Sequence, residues 1–169
     1  MKRVLVDADS CAKRVRLYLI SLAKKGLISL FFAANKDLSP NAGQKTDGGQ
    51  DQGKGQDQGQ ARQEIPNFSM IVSPKESQAA DNWILGAALP GDIAITRDIP
   101  LAAALFEKNV CVMNDLGKIF DKKNIERALK ERELSLQMTQ LGLGTKKRDS
   151  YGQKEFEAFA RAFNKLSQA

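Results

Sequence analysis

The chain has 169 residues, 42% of them hydrophobic and 27% charged, with 26 basic and 20 acidic groups and no histidine. That length makes one domain, or one domain plus an appendage, and it buries a real core. Without histidine there is no Ser-His-Asp triad, no Cys-His dyad and no HExxH zinc site, so any chemistry must come from carboxylates, Lys/Arg, Cys, hydroxyl groups or a bound metal.

Arg3-Val4-Leu5-Val6 reads as a short buried strand stopped by Asp7. Residues 11 to about 25 carry apolar positions at helical spacing, with Leu17 or Tyr18 on the inner face, and Gly26 ends the run. Ile28 to Ala34 is a second strand and Phe68 to Val72 a third. A helix is predicted over about 76–89, a fourth strand over Ile93 to Thr96 and a helix over about 100–108 with Pro100 in its first turn. Val110 to Met113 is the fifth strand, with Cys111 expected in the core. Continuous apolar strands alternating with helices predict a three-layer α/β/α fold around a mainly parallel five-stranded sheet.

Lys118-Ile119-Phe120 is read as a short edge strand. Helices over about 124–141 and 153–167 follow, and both are expected to pack on the sheet. Residues 41–62 hold six Gly, six Gln and three Asp, with Ala42 and Ala61 as the only apolar side chains. Such a stretch cannot build a core and is predicted to be a disordered insertion. The domain reading is thus a single α/β domain over 1–169, with that insertion and a basic helical extension over about 116–169.

Charge is uneven along the chain. Residues 116–169 carry 12 basic and 7 acidic groups, so +5 of the total +6. A basic C-terminal part suits a polyanionic partner such as a nucleic acid, the plainer alternative being a solvated basic surface, and Lys146-Lys147-Arg148 is the run most suited to phosphate contacts. Asp7 and Asp9 interrupt the N-terminal apolar stretch too early for a secretory signal, and residues 27–34 are too short an apolar run to span a membrane. Two cysteines, Cys11 and Cys111, suit a reducing compartment. The expectation is a cytoplasmic protein with no membrane and no disulfide-linked partner.

Asp7 and Asp9 follow the first strand, and Asp98 follows the fourth. In open α/β sheets, ligands bind beyond the carboxyl ends of strands where strand order reverses. If strands one and four are neighbours, these acids converge, and Asp81 on the preceding helix approaches them. Clustered carboxylates repel unless a cation sits among them, and oxygen donors without histidine suit Mg²⁺ or Mn²⁺. The plainer alternative is that Asp9 or Ser10 caps the first helix and Asp98 caps the helix opened by Pro100. Cys11, near a helix start, is read as a buried small residue rather than a nucleophile.

Several segments resemble a known family. Val6-Asp7-Ala8-Asp9-Ser10-Cys11 resembles the VDADxCP signature of the YaiI/YqxD family of uncharacterised bacterial proteins. Ala33-Ala34-Asn35 resembles its VAN, and Ala80-Asp81-Asn82 with Ile84 its ADNxI. Ile95 to Ala102 resembles its ITxDIPLA, the most specific match. The chain departs at Cys11-Ala12, where the family has CP, and at Thr145 to Arg148, where it has TGGP. The family is itself similar to PIN-like nuclease domains. That resemblance implies Asp7, Asp81 and Asp98 as Mg²⁺ or Mn²⁺ ligands, with Thr96 in support and Asn35 beside them. PIN domains carry a further acid on an intermediate helix, for which Asp9 is the candidate substitute, as a ligand or to orient the attacking water. The implied function is a metal-dependent phosphodiesterase, foremost a ribonuclease, with Asp7, Asp9 and Asp98 as catalytic acids. The alternatives are a non-catalytic nucleic-acid-binding or regulatory module of the same fold, and a small-molecule phosphoesterase.

Overall fold

The computed structural model describes residues 1–38, 65–74, 78–143 and 151–168. The glycine- and glutamine-rich insertion and Lys146, Lys147 and Arg148 lie outside them. Five strands form one sheet: β1 (Lys2–Asp7), β2 (Ile28–Ala34), β3 (Phe68–Val72), β4 (Ile93–Ile95) and β5 (Cys111–Met113). Their spatial order is β3-β2-β1-β4-β5, and every pairing is parallel. The order reverses at the β1/β4 pair, where Val4, Leu5 and Val6 face Ile93, Ala94 and Ile95. The central strands are continuous apolar runs because both faces are covered.

Alternation along β1 divides the core. Val4 and Val6 point to a cluster with Leu30, Phe32, Ile95 and the helices α1 (Lys13–Lys24) and α5 (Gln153–Gln168). Leu5 points the other way, toward Ala33, Ala94, Val112 and the helices α2 (Ala79–Ala87) and α3 (Ile99–Glu107). This is the predicted three-layer arrangement. The C-terminal helix α5 joins it through fully buried Phe159 and Phe163, and Tyr18 of α1 meets both rings edge-on. Tyr18 therefore takes the inner position, while Leu17 is exposed. Among the described residues no helix is long and apolar enough to cross a membrane, and both cysteines are free.

Three expectations fail. Cys111 is exposed, because β5 is an edge strand whose first residue lies at the rim. Residues 118–120 form only an isolated antiparallel bridge, Met113 to Ile119. The helix α4 (Lys122–Gln140) packs on α3 through Ile125 and Ala128, but its second half does not reach the body, leaving Leu134, Leu136 and Met138 exposed. Its apolar residues repeat with a helical period, and that period does not say whether a partner surface exists.

Candidate functional site

A cleft of about 470 Å³ lies at the carboxyl ends of β1, β2 and β4, lined by Asp7, Asp9, Asn35, Asp81, Arg97 and Asp98 among others. The switch between β1 and β4 builds it: the two strands diverge into helices on opposite faces, and the loops between leave a hollow.

Asp7, the last residue of β1, is 7% exposed. Its Oδ2 accepts two hydroxyl hydrogen bonds, from Ser10 at 2.6 Å and from Thr96 at 2.9 Å. Thr96 Oγ1 also accepts the Asp98 amide at 3.0 Å, so the buried threonine ties the ends of β1 and β4 together. Asp98 is the N-cap of α3: its Oδ1 accepts the Leu101 amide at 2.8 Å. The cap uses one oxygen, so capping and ligation are compatible in Asp98. For both Asp7 and Asp98, the second carboxylate oxygen has no protein partner among the described residues.

Asp81 sits in the first turn of α2, where the helix dipole favours an acid. Burial, and then the charges of Asp7 and Asp98, push its carboxyl up to about 6. The charges of two acids from other elements thus reach Asp81. Asp9 is exposed, and its Oδ2 accepts the Asn35 amide at 2.6 Å, joining the ends of β1 and β2. Neither Asp9 nor Ser10 caps α1, whose N-cap is Ala12 without a side-chain bond. Cys11 is buried, and burial and Asp115 push its thiol well above the ordinary range, which leaves no thiolate for nucleophilic work.

Among the described residues no three acidic side chains or thiols stand arranged to hold one metal ion. The donor chemistry still suits a hard divalent cation. Every candidate donor is a carboxylate oxygen, two of the acids keep an oxygen free, and a cation would relieve the repulsion between clustered carboxylates. Mg²⁺ commonly binds through one or two carboxylates and keeps several waters, and Asp7, Asp81 and Asp98 are the residues that would hold it.

Two residues of this region escape sequence reasoning. Arg97 lines the cleft, and behind it lies Asp115, 1% exposed. Asp115 follows β5 just as Asp7 and Asp98 stand at the ends of β1 and β4. The rule that singles out acids at strand ends would find it, but Asp115-Leu116-Gly117 also has the composition of a simple turn.

Known proteins agree with the sequence resemblance. The family model described as the uncharacterised bacterial YaiI/YqxD family matches residues 56–169. A UPF0178 protein of Treponema denticola is 32% identical over 164 residues, covering 97% of this chain and 90% of its own. UPF0178 proteins of Pseudomonas putida strain GB-1 and Psychromonas ingrahamii are each 27% identical, with 95% of their own length matched. No solved structure matches. With the family model over two thirds of the chain and a relative alignable almost end to end, the chain belongs to the YaiI/YqxD family.

Proposed function

We propose that this protein is a metal-dependent phosphodiesterase of PIN-like type that cleaves RNA at the carboxyl end of its sheet. The observation carrying the reading is the placement of Asp7, Asp81 and Asp98 around one cleft, close enough that Asp7 and Asp98 raise the Asp81 carboxyl. Asp7 and Asp98 would hold Mg²⁺ or Mn²⁺ through their free oxygens, with Asp81 lining the same cleft. The ion supplies an activated water and relief of charge on the phosphate.

The chain's own residues do the rest. Ser10 and Thr96 fix the rotamer of Asp7 by occupying one of its oxygens. Thr96 and the α3 cap fix Asp98. Asp9 accepts the Asn35 amide through Oδ2, which ties the β1 and β2 ends together, and its other oxygen is the candidate to bind the ion or orient the attacking water. The basic C-terminal part, with Lys146, Lys147 and Arg148, holds the strand's backbone.

The test is Mn²⁺-dependent cleavage of single-stranded RNA by wild type and Asp98→Asn. Asn caps a helix about as well as Asp, so stability is retained. Activity falls by more than the roughly 10–100-fold that losing an outer-shell partner costs. RNA binding without turnover points to the binding module instead, and phosphate release from a small ester without RNA cleavage to the small-molecule enzyme. If Asp98→Asn is as active as wild type, Asp98 is a cap and nothing more.

A further inference from the structure

Among the described residues lining the acid cleft, Arg97 is the one cation. It stands between Thr96 and Asp98 in the chain, and a guanidinium beside carboxylates ordinarily pairs with one of them. Arg97 pairs elsewhere. Its Nε donates to Asp115 Oδ1 at 2.6 Å and its Nη2 to Asp115 Oδ2 at 2.7 Å, a fork-to-fork pair with an acid that does not line the cleft.

Asp115 is held from several sides. Its Oδ2 also accepts the Ala12 amide at 2.8 Å, and its carbonyl accepts the Tyr151 hydroxyl at 2.8 Å, just ahead of α5. Two residues on, Gly117 lies directly against the α5 backbone. A guanidinium has five N–H donors, and this fork uses two. Among the described residues nothing accepts from Nη1, and the side chain is 45% exposed while its partner is 1% exposed. One edge of the group is locked, and donors remain beside the acids.

We propose that Arg97 is the phosphate-binding residue of the cleft and that Asp115, braced by the C-terminal helix, is the positioning residue that aims it. The proposal rests on the phosphodiesterase reading and adds the ligand contact: one phosphodiester oxygen of a polynucleotide strand, held by the donors the fork leaves free. An acid cleft repels a polyanion, so a fixed positive group at its edge is needed alongside any metal ion. Pairing with buried Asp115 keeps Arg97 from collapsing onto Asp7 or Asp98, which would consume ligand oxygens and phosphate donors together. Lysine cannot serve both purposes, because an ammonium lacks the planar fork.

Removing Arg97 alone strands a buried carboxylate and endangers folding, so the variants are Arg97→Lys and the double change Arg97→Met with Asp115→Asn. Binding of a fluorescein-labelled single-stranded oligouridine is measured by anisotropy in EDTA across a salt series, and cleavage is measured in Mn²⁺. The double variant should bind about tenfold more weakly and lose roughly 0.7 from the slope of log affinity against log salt, the value for one phosphate contact on a single strand. Arg97→Lys should keep the slope but raise KM severalfold, because charge survives and aim does not. If wild type binds and cleaves, and both folded variants match it in affinity, slope and KM, the assignment is overturned and the phosphodiesterase reading stands. If wild type neither binds nor cleaves, both fall.

Discussion

Replacing Gly117 with alanine should undock the C-terminal helix from the sheet end that carries the acids. Gly117 has φ +85°, and a Cβ there would lie 2.5 Å from the Ala158 carbonyl carbon, 2.6 Å from its oxygen and 2.8 Å from the Phe159 nitrogen. All three are backbone atoms of α5, so no side-chain rotation relieves the clash. The left-handed conformation costs an L-residue about 1–2 kcal/mol, and forcing atoms into a packed interface costs about 1–3 kcal/mol more. The sum, roughly 2–5 kcal/mol, is a large share of the ~5–15 kcal/mol that holds a domain together. The helix cannot yield freely, because Phe159 and Phe163 are fully buried beneath it. Gly91 is the control: its φ is also +85° but nothing lies within 4 Å of a Cβ, so Gly91→Ala should cost only the conformational ~1–2 kcal/mol. Urea unfolding measures both. At about 2–4 °C per kcal/mol for a chain of this size, Gly117→Ala should melt roughly 4–20 °C lower than wild type. Equal losses for the two variants would refute the claim that α5 rests directly on this turn.

Thr96→Val should destabilise the protein by about 1–3 kcal/mol in urea unfolding, since it removes one of two hydroxyl donors to buried Asp7 and leaves that oxygen under-satisfied. The Asp81 carboxyl, raised to about 6 from a model-peptide value of 3.8, binds its proton more tightly in the folded protein. Its contribution to stability is therefore fully present below about pH 4 and is lost as pH rises through 6. Discounted for solvent screening at this half-buried group, the loss is no more than ~1 kcal/mol, and Asp81→Asn should flatten that limb of the stability profile. Neutralising Lys146, Lys147 and Arg148 together should flatten the salt dependence of RNA binding by up to roughly 0.7 per lost contact; an unchanged slope would place the contacts elsewhere.

The strands were legible because a parallel sheet covered on both faces demands unbroken apolar runs, and Val4-Leu5-Val6 and Ile93-Ala94-Ile95 can be nothing else in a chain that alternates with helices. The acids at the strand ends were legible for the same reason: a carboxylate stops a buried run, so Asp7 and Asp98 announce themselves at its edge. Periodicity reports which residues share a face of an element, and here its reach stops. It placed Leu129, Leu136 and Met138 on a helix but could not say that α4 runs past the body. It put Cys111 in a strand but not at the sheet's rim. The Arg97–Asp115 pair, 18 residues apart in the chain, and the seating of α5 on Gly117 depend on strand order, which brings the loops after β1, β4 and β5 side by side. Local composition carries no term for that juxtaposition, because it arises only when β1 inserts between β2 and β4 and the C-terminal helix closes over the end.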